Sequence, residues 1–312
     1  MKIVFILSGI FFSNVLLYSQ LGGGGPGDSK DNAYQIWTRE HLLEFSDSMV
    51  TKWDIDKHFR LMQDINNVSQ TTGVLRDISG SFNGSNKEIK VTIIFDPYGI
   101  YPISAAVFRG LNGGVIDGLV VDGYINESIA GISGGGVGET INSINNINLT
   151  NPYLYVNGTG GIYQANNGGT ISHCLNNGRV SGVDYIGGIA AVNVGTISNC
   201  INTGKITGTE FTAGGYNGVG GIVAASGNTI SNCINLGDIT GINYISGIAG
   251  SVLGGFYSLS SITNCFNSGY IKGNKYIGGI VGFINDYGNI TNCINTGVVE
   301  GEEDVGSIVG KE

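Results

Sequence analysis

The sequence is poor in charged side chains and in proline, and its composition as a whole excludes several classes of protein. Only 12% of its 312 residues are charged and 4 are proline, whereas globular proteins usually carry about 25% charged residues. The 54 glycines follow no three-residue period, which excludes a collagen-like chain. The 41% of apolar residues exclude simple disorder. The formal charge of −9, without a basic cluster, disfavours nucleic acid and anionic lipid as partners.

Motifs for metal-dependent chemistry are also lacking. No H-E-x-x-H or C-x₂-C pattern occurs, and the three histidines, His41, His58 and His173, lie far apart in the sequence. Zinc sites need such clustered ligands. The sequence therefore predicts no catalytic residue, no metal site and no cofactor.

The first residues have the pattern of an export signal. Met1 and Lys2 precede a mostly apolar run from Ile3 to Leu17, followed by YSQLGGGGPG. A positive start and an apolar core of about 15 residues are typical of signal peptides, and the run is shorter than the roughly 20 residues of a spanning helix. We predict a signal peptide over 1–19 and a flexible Gly-rich linker over 20–33. The mature chain is then expected to be secreted or held at the cell surface, without a transmembrane span.

One motif occurs five times in the second half of the chain, and its copy at 195–208 has the sequence GTISNCINTGKITG. Every copy has Ile three residues before a cysteine, Asn two after it and Gly four after it. Two earlier, eroded copies are predicted to place Leu119 and Ile144 at the cysteine position. The resulting period of 25–33 residues is typical of solenoids and propellers.

The residue types select a parallel β-helix among the repeat architectures. Gly, Asn, Thr and β-branched residues disfavour helical repeats, regularly spaced leucines are lacking, and a propeller blade needs a longer unit. We predict an all-β parallel β-helix (solenoid) of about 7–9 coils over 101–312, preceded by a cap over 34–100. Equivalent residues of successive coils should then stack about 4.8 Å apart.

Stacking explains why the same residues recur at equivalent positions, because a side chain that fits one coil also fits the next. The Asn column is predicted to form an amide ladder, and the variable positions 179, 205, 238, 270 and 298 should face water. Alternation breaks beside each cysteine, which indicates a corner or bulge nearby. The ladder consists of Asn176, Asn202, Asn235, Asn267 and Asn295, beside the column Cys174, Cys200, Cys233, Cys265 and Cys293.

The five cysteines allow two interpretations. Exported chains usually form disulfides, but the number is odd and the stacked Cβ atoms would be about 4.8 Å apart, farther than a disulfide prefers. A position shared with Leu119 and Ile144 is also an apolar interior position. We favour five buried free thiols.

The segment before the repeats is predicted to cap the β-helix. Thr38 followed by REHLLEFSDSM reads as an N-cap and a helix of about 11 residues with an apolar side. HFRLMQDI, at 58–65, reads as a strand. Such a cap would cover the interior of the first coil and its unpaired backbone.

The N-terminal segment and the repeats together resemble bacterial secreted proteins with GLUG-motif repeats. The resemblance rests on YQIWTREHLLEFSDSM, on the G-x-F-x-G-x-x-x-x-I element from Gly80 to Ile89, and on GGIVG…ITNCINTG units, and it spans roughly residues 34–312. It implies a right-handed parallel β-helix like the region N-terminal to IgA-specific metallopeptidases. Since H-E-x-x-H is lacking, the resemblance implies the scaffold without that chemistry.

Two functions remain open at the level of the sequence. The first is a non-enzymatic, adhesin-like or structural interaction protein that binds a host or matrix glycan or protein. The alternative is a polysaccharide lyase or hydrolase, although Asp184, Glu210 and Asp304 lie singly in their coils. The insertions within 209–219 and 251–260, together with Tyr287 outside them, offer candidate ligand-binding aromatics, because loops often carry function. These are Phe211, Tyr216, Phe256, Tyr257 and Tyr287.

Overall fold

A computed structural model describes residues 23–24, 27–46, 56–70, 75, 77–93, 106–125, 127–152, 158–209, 218–254 and 259–312. The predicted signal peptide over 1–19 lies outside these ranges. Within them, no helix has both the length and the apolar character needed to cross a membrane.

The repeat region consists of coils with up to five short strands each, numbered here by their order in a coil. The first strands are Glu139–Ile141, Thr170–Ser172, Thr196–Ser198, Thr229–Ser231, Ser260–Thr263 and Gly288–Thr291. The second strands are Ile144–Asn145, Leu175–Asn176, Ile201–Asn202, Ile234–Asn235, Phe266–Asn267 and Ile294–Asn295. The third strands are Asn148–Asn151, Val180–Gly182, Ile206–Gly208, Ile239–Thr240, Ile271–Lys272 and Val299–Glu300.

The fourth and fifth strands complete each coil. The fourth strands are Thr159–Gly160, Ile186–Gly187, Val219–Gly220, Asn243–Ser246, Lys275–Gly278 and Glu303–Gly306. The fifth strands are Ser133–Gly136, Tyr163–Asn166, Ala190–Asn193, Val223–Ser226, Ala249–Val252, Val281–Ile284 and Val309–Lys311. The longer strands Ser81–Ile93 and Val115–Ile125 open the solenoid.

Equivalent strands of successive coils pair in parallel, so the predicted parallel β-helix is confirmed. The fourth strands form a six-stranded sheet, the fifth strands a seven-stranded sheet, and the remaining described strands a third sheet. Aliphatic side chains fill the interior, where Ile197, Ile230 and Ile262 are fully shielded from solvent. The variable positions 179, 205, 238 and 298 are exposed and 270 is partly exposed, as predicted.

The sequence prediction for the coil that starts at Glu139 is wrong by one residue. Ile144 pairs with Leu175, the residue after Cys174, so Ser143 rather than Ile144 occupies the cysteine position. Ser143 is fully buried, whereas Ile144 is half-buried on the outer face. A slip of one residue exchanges the two faces of a strand, and the aliphatic residue was mistaken for the inward one.

The same slip affects the position three residues earlier. Thr140, not Ile141, pairs with Ile171, and its side chain is fully buried. The slip also adds Asn145 to the asparagine column, because Asn145 pairs with Asn176.

The break in alternation is a corner just before each cysteine. Cys174 and Asn176 point inward while Leu175 is only half-buried, so alternation holds across these three residues. His173, one residue earlier, has a positive φ of 54°. The same left-handed conformation, with φ of 52° or 53°, occurs in Asn142, Asn199, Asn232, Asn264 and Asn292. Asparagine adopts this region more readily than most residues, which explains the recurring letters before cysteine.

The glycines four residues after each cysteine allow close stacking of the coils. A Cβ atom at Gly204 would collide with the carbonyl oxygen of Gly178 in the preceding coil. A side chain therefore does not fit at this position, which explains why glycine recurs there.

The N-terminal segment contains the helix Arg39–Ser46 and the strands Gly23–Gly24, Tyr34–Ile36, His58–Leu61 and Ile65–Gln70. The His41 amide donates to Thr38 Oγ1 at 3.3 Å, so Thr38 is the N-cap. Leu42 of the helix is fully buried in the same core as the solenoid residues. His58–Leu61 pairs with Ser81–Ile93, which ties this segment to the first coils.

Candidate functional site

The asparagine column forms a continuous amide ladder inside the solenoid. Asn176 Nδ2 donates to Asn202 Oδ1 at 2.8 Å, and Asn202 Nδ2 donates to Asn235 Oδ1 at 2.8 Å. Each Nδ2 also donates to the carbonyl oxygen two residues later, as Asn202 does to Gly204 at 2.9 Å. Because buried amides need such partners, the ladder is a structural element. Its six members are Asn145, Asn176, Asn202, Asn235, Asn267 and Asn295.

The five cysteines stack beside this ladder as free thiols. Four of them are buried and Cys293, in the last coil, is half-buried. Cys200 Sγ contacts the carbonyl oxygen of Ser198 at 3.2 Å, as a thiol donor does. Burial raises the pKa of Cys200, and the hydrogen bond with Cys233 raises the pKa of Cys265 to about 12. Reactive cysteines have lowered pKa values, so this column is structural.

Four of the five candidate loop aromatics, Phe211, Tyr216, Phe256 and Tyr257, lie outside the described residues. Tyr287 is half-buried in the turn before the last coil, where its carbonyl oxygen accepts the Ser260 amide at 3.0 Å. Their role in ligand binding stays a prediction.

A tyrosine column that the sequence analysis did not single out lies on the outer surface. Tyr185, Tyr244 and Tyr276 each precede a fourth-strand isoleucine and have φ of 48–60°. Tyr244 and Tyr276 stack with ring centroids 4.8 Å apart. Phe283 meets both rings edge-on, at 6.0 and 6.3 Å. The recurring Tyr-Ile eleven residues after a cysteine was the signal for this column in the sequence.

Beside Tyr185 the outer face of the fifth-strand sheet carries a groove of about 440 Å³. Its floor is the stacked series Ala165, Val192 and Ala225, which pair in register across three coils. Its other residues are Asn167, Tyr185, Asn193, Val194, Ser226, Gly227 and Leu253. No lining residue carries a charge, although the chain carries −9 overall.

The groove exists because of the residue sizes in one column. Ala165, Val192 and Ala225 are followed in the same column by Ser251 and then by Phe283. Phe283 packs against two tyrosine rings, whereas the smaller residues leave space above the sheet. Tyr185 stands on one side of this space, and Val194, which is 49% exposed, stands on the other.

Acidic side chains do not converge in the described part of the chain. Asp304 pairs with Lys311 at 3.6 Å, and Glu303 pairs with Lys275. Glu210 lies outside the described residues. Across the described ranges, no three His, Cys, Asp or Glu side chains gather in a way that could hold a metal ion.

One stretch fits a nucleophile motif by its letters. Residues 131–135 read GISGG, which matches the G-x-S-x-G pattern of hydrolases. That motif requires an exposed serine on a strand-to-helix turn. Ser133 is instead fully buried and begins a β-strand. The letters therefore match the motif without its structural context, and Ser133 is not placed as a nucleophile.

Together, these features define a parallel β-solenoid with an uncharged groove on the outer face of one sheet. A solved structure from Bacteroides ovatus, named a "putative immunoglobulin A1 protease", is similar to this chain. The TM-score is 0.59 and the identity 18%, with 87% of each chain covered. This likeness shows the fold alone. No family model and no curated protein matches the sequence.

Proposed function

We propose that this protein is a non-enzymatic, exported β-helix that acts as an adhesin-like interaction module, secreted or at the cell surface. The observation that carries the proposal is the uncharged groove between Tyr185 and Val194 on the outer sheet face. Concave sites lined mainly by apolar and aromatic groups are the usual places of ligand binding. The export signal pattern over 1–19 and the resemblance to GLUG-repeat proteins support the extracellular location.

The surface around the groove supports an interaction role. Val194, which lines the groove, is 49% exposed, and Leu253 lines the same groove. Exposed apolar side chains that border a groove add apolar surface to a candidate interaction site. The alternative, a polysaccharide lyase or hydrolase, is less well supported. Glu303 and Asp304, the acids it would draw on, each form an ion pair with a lysine.

The proposal is tested with the protein without residues 1–19. We expect the labelled protein to bind to immobilised mucin or extracellular-matrix preparations, with saturation. A variant with Val194→Asp, which places a charge beside the groove, should bind less. A Val298→Asp variant is the matched control, because Val298 is also exposed but lies on another face.

An activity assay covers the enzymatic alternative. The protein is incubated with pectic, mucin and glycosaminoglycan polysaccharides and with immunoglobulin A. We expect unchanged substrates. New reducing ends, unsaturated sugars or protein fragments would contradict the non-enzymatic proposal.

A further inference from the structure

We propose that the groove beside Tyr185 binds a short segment of a neutral glycan that lies along the solenoid axis. This inference rests on the proposed function and names the ligand class of the same site. The floor spans three coils that are each about 4.8 Å apart, which gives room for about two to three pyranose rings. The volume of about 440 Å³ lies within the range of small-ligand sites.

The charges around the groove disfavour an anionic ligand. The lining contains no acid or base, and Asp184, next to Tyr185 in the chain, is acidic. An anionic sugar would leave water for a site that has no cation to replace its hydration, which costs free energy. The overall charge of −9 repels such ligands further.

The backbone around the floor disfavours an extended peptide. Peptides usually bind sheets by adding a strand to an unpaired edge. The strands Tyr163–Asn166, Ala190–Asn193 and Val223–Ser226 are paired on both sides, so they have no edge to offer. A peptide lying across the face would place its amide groups over Ala165, Val192 and Ala225, where they would lose water without gaining hydrogen bonds.

A sugar ring avoids this cost because it has an apolar C–H face and hydroxyl groups at its edge. The C–H face can pack on the ring of Tyr185 and on Val192, both of which line the groove. The hydroxyl groups then point towards solvent and the rim residue Asn167, whose side-chain amide can both donate and accept. Burial raises the pKa of Tyr185, so its phenol stays neutral beside the sugar.

The experiment compares two tyrosines of one column. Tyr185→Gly removes the aromatic wall, and Gly158 already occupies the equivalent position one coil earlier with φ of 87°. Tyr276→Gly is the matched control, because Tyr276 has φ of 60° but does not line the groove. A third variant, Val192→Lys, fills the floor, and its column already carries a lysine at 311. Circular dichroism and thermal unfolding check that all three fold.

Binding is measured by calorimetry with neutral cello-, manno- and galacto-trioses, with trigalacturonate as the anionic probe, after a screen on a glycan array. We expect at least one neutral triose to bind and trigalacturonate not to bind. Tyr185→Gly should weaken the binding by at least ~10-fold, Val192→Lys should abolish it, and Tyr276→Gly should leave it unchanged.

The failures of the two proposals are distinguishable. Neutral-glycan binding that survives both Tyr185→Gly and Val192→Lys, or a preference for trigalacturonate, overturns the groove assignment and leaves an interaction module. Binding to a polypeptide component of the mucin or matrix preparation, without any neutral glycan, does the same. Failure to bind any glycan, mucin or matrix component overturns the proposed function itself.

Discussion

At the scale of single residues, the side-chain amides of the ladder asparagines form a continuous chain of hydrogen bonds from coil to coil. Asn235 Nδ2 donates to Asn267 Oδ1 at 2.7 Å, while Asn235 Oδ1 accepts from Asn202 at 2.8 Å. The donors thus all run towards the C-terminal end. A buried amide without partners costs about 1–3 kcal/mol. A residue in this column must therefore both donate to one neighbouring asparagine and accept from the other, which explains why asparagine recurs in each coil.

Replacing Asn235 by alanine should therefore be costly. The variant leaves an amide N–H of Asn202 and the amide oxygen of Asn267 without these bonds, so we expect the free energy of unfolding to fall by about 3 kcal/mol. Asn274→Ala is the control, since Asn274 is exposed and surface changes usually stay within about 0.5 kcal/mol. Denaturant unfolding of both variants measures the difference. Equal midpoints would show that the ladder contributes nothing specific.

The thiol column makes stability dependent on alkaline pH. The pKa of Cys265 rises from 9.0 to about 12, because of its hydrogen bond with Cys233 and of burial. The unfolded chain loses this proton first, so the contribution is complete below pH 9 and is lost as pH rises towards about 12. We expect the free energy of unfolding to decline across this window, and to decline less steeply in Cys265→Ala. Parallel slopes for the two proteins would contradict the raised pKa.

At the scale of elements, the corner before each cysteine sets where the chain turns from the first strand to the second. Asn199, Asn232 and Asn264 share φ of 53°, and Asn264 Nδ2 donates to Asn232 Oδ1 at 3.2 Å. A β-branched residue fits this left-handed conformation poorly. The corner thus depends on the backbone preference of one residue per coil.

Substitutions at Asn232 should separate backbone preference from side-chain bonding. We expect Asn232→Val to lower the free energy of unfolding by about 1–2 kcal/mol. Asn232→Gly should cost much less, since glycine adopts positive φ without strain. Chemical denaturation measures both. If the glycine variant lost as much stability as the valine variant, the side-chain amide and not the corner would be the important feature.

The register of the elements was predicted correctly for the intact motifs and for the coil of Leu119, which lies level with Ser143 in the cysteine column, but wrongly for the coil from Glu139. The period and the cysteine–asparagine spacing identify the coils from Cys174 onwards. In the coil from Glu139, polar Thr140 and Ser143 point inward while Ile141 and Ile144 lie on the outer face. Hydrophobicity favoured the wrong alternative there. Asn145, two residues after Ser143, was the correct guide, because its amide ladder is more specific than an aliphatic position.

At the scale of the whole molecule, the fold follows from the repeat but the groove does not. A floor of Ala165, Val192 and Ala225 has no distinctive residue type, and the space exists only because three small side chains stack in register. The ligand-binding aromatic rings were expected mainly in the insertions, since loops often carry function. The recurring tyrosines at 185, 244 and 276 were the available clue, but their outward orientation required the structure.

A solenoid of this kind should lose its structure progressively from a damaged end, because each coil contacts mainly its neighbours. Leu42 is fully buried in the core that the N-terminal segment shares with the first coils. Leu42→Asp buries an unpaired charge there. We expect amide hydrogen exchange to accelerate in the strands Tyr34–Ile36, His58–Leu61 and Ser81–Ile93, while the strands Ala190–Asn193 and Val223–Ser226 keep their protection. Arg39→Asp, on the exposed side of the same helix, should change neither region. Uniform acceleration in all coils would mean that the solenoid unfolds as one cooperative unit, and the nearest-neighbour description would then be wrong.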